Sequence, residues 1–403
     1  MRVTIKTHAV GAFFGFVVFP SGVRVPAPSH LAAGAMSPSS SEDDDADERV
    51  PYSRRPEWAD VEPIPQPESA NPVVLIDYAD EYVDAMDVWR AVYRSRERSR
   101  RVLDLTRDVI GMNGGAYTVW HHRWELVSAL GVDLAEELRY AGTMARANPK
   151  NYQVWNHMRL CSQAMKASGD EARETLAWEL NETHTRIALM MDAKNIHAWT
   201  QRAWAVRTFG RWTEEMEFTE RMIDDDVRNN SAWNQRFFCV VGGLGGFVTS
   251  TDDDENRDGA DVVVLAESEL AFAKSRLDKS PHNESAWNYV RGILKRPNVG
   301  WGWRGEGEAI ARKHLGDIFG DASRRRVGAT SSGDERGGES DGESRDEGCE
   351  PCRHAACLLA ECLVDAGEFH EAGRVFDALR AIDPVRANYH AFRRAHALGL
   401  VSA

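Results

Sequence analysis

Apolar residues recur at three- and four-residue spacing along most of the chain. Residues 80–94 carry Tyr82, Met86, Trp89 and Val92 on one helical face, and residues 99–111 carry Val102, Leu105, Val109 and Ile110. Residues 133–147 do the same with Leu134, Leu138, Ala141 and Met144, and residues 212–226 with Met216, Phe218 and Met222. Such stripes are the core-facing sides of amphipathic helices. No strand-like alternation competes with them, so the predicted fold is all-α. Between these helices one short phrase returns five times: Ala116-Tyr117-Thr118-Val119-Trp120, Asn151-Tyr152-Gln153-Val154-Trp155, Asn195-Ile196-His197-Ala198-Trp199, Asn229-Asn230-Ser231-Ala232-Trp233 and Asn283-Glu284-Ser285-Ala286-Trp287. Four of the five open with Asn, and all five place Ala or Val before Trp. The intervals from Trp120 to Trp155 and from Trp199 to Trp233 are nearly equal, and the other two are longer. One large aromatic per unit of roughly 34 residues is what stacked helical hairpins produce. The expected architecture is a solenoid, a right-handed superhelix of antiparallel hairpins. Asn suits a helix N-cap, since its side chain accepts from a free N–H of the first turn. Trp then falls on the first full turn, between neighbouring hairpins. Three repeats add an arginine one turn later, Arg123, Arg202 and Arg236.

Two units depart from the period. The one between Trp155 and Trp199 is ten residues longer than the one that follows it, with the excess around residues 166–183, either as longer helix or as longer turn. The one between Trp233 and Trp287 carries a glycine-rich acidic stretch, residues 242–261, expected to be a mobile loop. It is a poor phosphate loop, having no strand before it and no Lys-Ser/Thr after it. Residues 1–51 read as disordered, or as a mis-assigned extension of the N-terminus. Residues 52–77 read as an extended arm that packs in places. The repeat domain is expected over 78–320, a disordered acidic insertion over 321–350, and further helices completing the solenoid over 351–403.

The net charge of −14 argues against a nucleic-acid partner, because a phosphate backbone calls for a positive surface. Six cysteines in 403 residues do not form a disulfide framework. Cys161 and Cys239 read as buried thiols. Cys349, Cys352, Cys357 and Cys362 cluster around His354, but no second Cys-x-x-Cys follows the first, and structural zinc is the weaker reading there. The N-terminus has two basic residues followed by an apolar run of 11, residues 9–19. It is too short for a membrane span and reads either as a targeting peptide or as an upstream start, with Met36 the true one.

The phrases Pro149-Lys150-Asn151-Tyr152-Gln153-Val154-Trp155, Asp226-Val227-Arg228-Asn229-Asn230-Ser231-Ala232-Trp233-Asn234-Gln235-Arg236 and Pro281-His282-Asn283-Glu284-Ser285-Ala286-Trp287-Asn288-Tyr289 resemble the α subunit shared by protein farnesyltransferase and protein geranylgeranyltransferase type I. Glu57-Trp58-Ala59-Asp60 and Asn71-Pro72-Val73-Val74 resemble the segment that precedes the repeats in that family. The likeness runs from about Tyr52 to Lys295. It implies a crescent of hairpins wrapped around a separate β subunit, which carries the zinc ion and most of the substrate pocket. It implies farnesyl or geranylgeranyl transfer from an isoprenyl diphosphate to the cysteine of proteins ending Cys-a-a-X, with magnesium also required by the heterodimer. No cofactor is expected on this chain itself, whose repeats show no His/Cys/Asp cluster suited to a catalytic metal. Such enzymes work in the cytosol, which favours the upstream-start reading of the N-terminus and a cytoplasmic protein with no transmembrane segment.

The resemblance also assigns roles. Lys150, as the lysine of the second repeat, would stabilise the departing diphosphate, with the Tyr152 hydroxyl beside it. Both stand at a helix start, where free N–H groups favour an anion. Asn195 and His197 hold the matching positions of the third repeat and would line the diphosphate side. The family usually has Tyr where this chain has Ile196, so one hydroxyl contact is lost. Gln153 and Tyr117 resemble residues that meet the C-terminal end of the acceptor peptide. Met158 stands where Arg is usual, a change expected to alter packing and not chemistry. Read without the family, Lys150 is an ordinary solvated turn residue, Tyr152 a packing residue, His197 a residue at a helix start, and Gln153 and Tyr117 helix-surface residues. Two other readings stay open: the α subunit of a Rab-type geranylgeranyltransferase, and a tetratricopeptide-like scaffold without chemistry.

Overall fold

The structure, a computed structural model, describes residues 3–4, 50–67, 71, 76–244, 259–296, 304–316, 318–319 and 350–400. The expectations for residues 5–49 and for the acidic insertion up to residue 349 lie outside the described residues. The chain divides into two compact units, Met1–Met144 with Asn151–Cys161, and Ala145–Lys150 with Ser162–Ala403. Fifteen α-helices are found among the described residues, and the fold is all-α. Its strand content there is one parallel pairing of two residues each, Val3–Thr4 with Ile76–Asp77.

In the first unit α1 (Asp80–Ser95), α2 (Arg100–Met112) and α3 (Tyr117–Leu130) pack in succession. They bury Trp89, Val92, Val102, Leu105, Val109 and Ile110 of the predicted stripes, and Val88 besides, while Tyr82 and Met86 are only half-buried. Ser99 caps α2 by accepting from the Val102 N–H. The arm before α1 is anchored at two aromatic residues, Tyr52 and Trp58, both buried. Tyr52 donates to Asp108 Oδ2 at 2.7 Å, and Arg101 stacks over the Trp58 ring while pairing with Asp60 and Glu97. The boundary between the units falls within α4 (Leu134–Ala147) and α5 (Tyr152–Ala167).

In the second unit α6 (Glu171–Met191), α7 (Ile196–Phe209), α8 (Trp212–Asp225), α9 (Asn230–Cys239), α10 (Gly259–Lys279) and α11 (Glu284–Leu294) continue the hairpins. Nine of the ten extra residues go into helix: α6 has 21 residues where α8 has 14, and α5 has 16 where α7 has 14. Its added turns bury Trp178, whose indole N–H donates to Glu214 Oε2 at 3.0 Å. The glycine-rich stretch is not all loop. Val240–Leu244 form a π-helical turn, and α10 already begins at Gly259. Gly243 must be glycine, because a Cβ there would lie 2.1 Å from the Trp212 ring. Beyond α11 come α12 (Arg304–Lys313), α13 (Arg353–Ala366), α14 (Phe369–Ile382) and α15 (Ala387–Ala397).

The repeat phrase works as a hydrogen-bonded ladder. Each cap asparagine accepts from the backbone N–H two residues on, at 2.9–3.1 Å for Asn151, Asn195, Asn229 and Asn283. Each also donates its amide to a turn carbonyl of the preceding repeat: Asn151 to Gly114, Asn195 to Pro149, Asn229 to Ala193, and Asn283 to Val227. The Trp indoles reach back to the same row, Trp120 to Gly114, Trp199 to Ala193, Trp233 to Val227 and Trp287 to Pro281, at 2.7–2.9 Å. One carbonyl thus ties a repeat to its own indole and to the next cap. The ladder has a further rung that the sequence does not advertise. Cys352, the N-cap of α13, donates its Sγ–H to Pro281 O at 3.1 Å. Cys352-Arg353-His354-Ala355-Ala356 is therefore a sixth copy of the phrase, with Cys for Asn and Ala for Trp.

A second row lies deeper. The repeat arginines pair with buried carboxylates, Arg123 with Glu137, Arg202 with Glu215 and Arg236 with Glu269, at 2.7–2.9 Å. Each carboxylate precedes the next Trp by the same interval: Glu137 before Trp155, Glu215 before Trp233, Glu269 before Trp287. It also accepts from the residue two after that Trp: His157 on Glu137, Gln235 on Glu215, Tyr289 on Glu269. Burial alone would raise the Glu137 pKa; the hydrogen bonds from His157 and Arg123 overcome it and bring the carboxyl down to about 2. In the second repeat Arg is absent, and buried Met158 stands in its place. At the matching interval before Trp199 is then the neutral Asn181, which bonds Ser162 and Gln201 instead. Cation and carboxylate are lost together, so no buried charge is stranded.

Candidate functional site

Lys150 lies in the turn before α5 and extends into solvent, its side chain 79% exposed. Its Nζ is 3.7 Å from Asp192 Oδ2, a contact the sequence reading did not foresee. Asp192 ends α6, and its other oxygen accepts from the Lys194 N–H at 3.1 Å. Asn195 holds the same two turns together from the other side, through its amide on Pro149 O at 3.0 Å. Lys150, Asn195 and His197 therefore share one unit, and the ladder fixes the Lys150 turn against the start of α7. Asn195 is buried and spent on capping and on the ladder, accepting from the His197 and Ala198 N–H groups. It positions the turn and does not reach out of it. The His197 ring is half-buried on the first turn of α7 and makes no hydrogen bond among the described residues.

Tyr117, Tyr152 and Gln153 belong to the other unit. Tyr117 and Tyr152 open α3 and α5 and are each 64% exposed, although rings of that size are usually covered. The Asn151 amide on Gly114 O links the two helix starts. Gln153 is half-buried, its N–H used by Asn151 and its side chain unbonded among the described residues. Ile196, one residue after the third cap, is 72% exposed. The position after the cap is thus a large exposed side chain in three repeats.

The signal that would have found Asp192 is its place three residues before the cap, where its side chain closes the turn, as Asp226 does in the next repeat. Among the described residues no group of three or more His, Cys, Asp and Glu is arranged to hold a metal ion. Cys352, Cys357 and Cys362 are free thiols, Cys352 occupied by the ladder; Cys349 lies outside the described residues. Burial pushes the Cys357 and Cys362 thiols up, the latter to about 11, so neither is a ready thiolate.

Comparison with known proteins identifies the repeats. The protein prenyltransferase alpha subunit repeat matches residues 99–130, 134–165, 183–209, 212–241 and 266–297. The protein farnesyltransferase/geranylgeranyltransferase type-1 subunit alpha of Pisum sativum is 40% identical over 251 residues, covering 62% of this chain and 68% of its own. The chain belongs to this family. The Dictyostelium discoideum protein of the same name is 36% identical over 267 residues, covering 65% of this chain and 76% of its own. A solved Candida albicans protein geranylgeranyltransferase-I, complexed with GGPP, aligns with a TM-score of 0.64 over 84% of this chain and 98% of that one. At 24% identity that likeness speaks for the fold. Each matched repeat is one amphipathic helix followed by one Trp helix, from α2–α3 to α10–α11. The sixth copy, at Cys352, lies beyond the last matched residue. No helix among the described residues is long and apolar enough to cross a membrane.

Proposed function

We propose that this chain is the α subunit of a heterodimeric CaaX protein prenyltransferase, active only with a zinc-bearing β subunit. It would work in the cytoplasm on an isoprenyl diphosphate, farnesyl or geranylgeranyl, and on proteins ending Cys-a-a-X. The observation that carries this reading is Lys150: an exposed cation held by a turn that the ladder fixes, one residue before the cap of α5. When the acceptor thiolate attacks the first isoprenyl carbon, the C–O bond to diphosphate breaks and negative charge grows on the bridging oxygen. A fixed ammonium beside that oxygen stabilises the transition state more than the bound substrate. The α5 N-terminus adds donors of the same sign. The Tyr152 hydroxyl, with no hydrogen bond among the described residues, is available to donate to the diphosphate, and His197 to line it. Tyr117 and Gln153 are assigned to the C-terminal end of the acceptor peptide, a ring for its last side chain and an amide for its carboxylate. Zinc and magnesium belong to the assembly by family likeness; the part of this chain is to hold the leaving group and to scaffold its partner.

Single-turnover prenyl transfer by the reconstituted heterodimer tests the assignment. Lys150→Ala should slow the chemical step by about 10²–10³ while changing isoprenyl diphosphate affinity little. Lys150→Arg should recover part of the rate, since a planar guanidinium does not match a point-charge ammonium. An unchanged rate for Lys150→Ala in an intact heterodimer would make this chain a scaffold only. Peptides ending Cys-a-a-X serve as acceptors; transfer confined to Rab-type proteins would favour the type-2 reading.

A further inference from the structure

The last helices of the second unit line a half-open pocket of about 180 Å³, on a measure where one water takes about 10–15 Å³. It lies between α11, α13, α14 and α15, and its polar lining is dominated by Arg291, Arg353, Arg386, Arg393, His354 and His390. Three carboxylates share the wall, Glu284, Glu361 and Asp383. Two of them are engaged at short range, Asp383 with Arg386 at 3.0 Å and Glu361 with Lys295 at 3.0 Å. Arg291 stands farther from Glu361, at 3.6 Å, and Arg353 is 3.9 Å from Glu284. Arg393 has no carboxylate within ion-pair distance among the described residues; it donates to the Tyr389 hydroxyl at 2.9 Å. Four arginines thus meet three carboxylates in the lining, one of which is also paired with Lys295 outside it, and the pocket keeps an excess of positive charge.

Its donors are also unmet. Nε of Arg353 is buried without a hydrogen-bond partner, and so is Nδ1 of His390; Nε of Arg291 is unbonded too but faces the equally unbonded Glu361 Oε2 at 3.6 Å. The His390 side chain is only 2% exposed, and its other nitrogen faces Asp383 Oδ2 at 3.3 Å, leaving Nδ1 for the cavity. Burial, and next the Arg353 cation, hold His354 down at about 4. Arginine is the residue suited to planar, multidentate recognition of phosphate oxygens. The repeat register adds a reason for this place: Arg353 and His354 follow the sixth cap as Tyr152 and Gln153 follow the second and Ile196 and His197 the third.

We propose that this cavity is a binding site for a small oxyanion of the phosphate class, formed by the sixth repeat and independent of Lys150. The ligand would bridge Arg353 and Arg393 and lie against Nδ1 of His390. Inorganic phosphate and inorganic diphosphate are the two free sources of that chemistry, and separate titrations tell them apart.

The test is isothermal titration of the full chain, co-purified with its β subunit, with each anion in turn. Lys150→Ala serves as background, so that binding at the Lys150 turn does not contribute. Saturable binding of either anion at one site per chain is expected. Arg393→Gln and Arg353→Gln should each weaken it at least tenfold, and Arg393→Lys should restore most of the loss. Should a glutamine variant fail to fold, Arg393→Lys decides alone: with the charge kept and the fork removed, binding should fall a few-fold, and binding equal to the parent's would overturn the proposal. Absence of saturable binding on the Lys150→Ala background, or binding that ignores Arg393 and Arg353, would overturn the proposal.

Discussion

At the residue scale the chain shows how a repeat protein can exchange a buried ion pair for neutral groups without stranding a charge. Arg202 and Glu215 are both buried, doubly bonded, and roofed by Phe218, whose ring lies 3.5 Å from the guanidinium carbon. Removing one partner leaves the other charged and dry, whereas removing both leaves a packing problem. Met158 and Asn181 are the chain's own example of the second case. Arg202→Met should therefore destabilise the co-purified heterodimer by about 3–5 kcal/mol. Adding Glu215→Asn should return a large part of it, a coupling that urea unfolding of the two single variants and the double variant reads directly. Additive losses would show that the pair is not electrostatically coupled. The arginines were legible in the sequence because each follows its Trp at a fixed distance. The glutamates were not: each sits on a preceding helix, among many exposed acids, and stands out only when its constant interval to the next Trp is noticed.

At the scale of the element, caps and stripes fixed the helices. The apolar periodicity of residues 80–94 and 99–111 became α1 and α2 with boundaries shifted by a residue, and four cap asparagines do what their chemistry predicts. The lengthened unit was ambiguous in sequence because residues 166–183 are polar enough for a turn. Tertiary burial of Trp178 settled it as helix. The sixth rung was invisible for a different reason: both signature side chains are replaced, while the backbone that carries them is not. Cys352 has φ −92° and ψ 106°, close to the −77° and 101° of Asn283. A thiol donates weakly to Pro281 O and caps nothing in α13. Cys352→Asn should then strengthen the rung and satisfy a first-turn N–H, adding about 1 kcal/mol of stability. A higher melting temperature than the parent is expected, and Cys352→Ala should fall below it. If asparagine is no better than alanine there, the equivalence of the sixth copy to the others is wrong.

At the scale of the whole molecule, the family and the all-α repeat architecture were legible from five phrases in order, and the role proposed for Lys150 rests on the same phrases. What sequence could not supply was the way the chain closes after its acidic insertion. The Cys352 N–H donates to Leu315 O at 3.2 Å, so the backbone on the two sides of residues 321–349 is held together directly. Ile318, just before the segment, and Cys352, just after it, are both buried. The segment itself contains no Leu, Ile, Phe, Tyr, Trp or Met and, beyond Val327 and two alanines, has little apolar surface to add to a core. Its removal therefore has little packing to lose. Replacing residues 321–349 by a linker of about six residues leaves the Leu315–Cys352 bond reachable and shortens the loop that folding must close. Loop-closure entropy falls with the logarithm of length, so the gain should be small, about 1 kcal/mol. The shortened chain is expected to assemble with its β subunit, to melt at the parent temperature or slightly above it, and to keep its prenyl-transfer rate. Loss of assembly on deletion would mean that the segment contacts the partner, and that its composition misleads about its role.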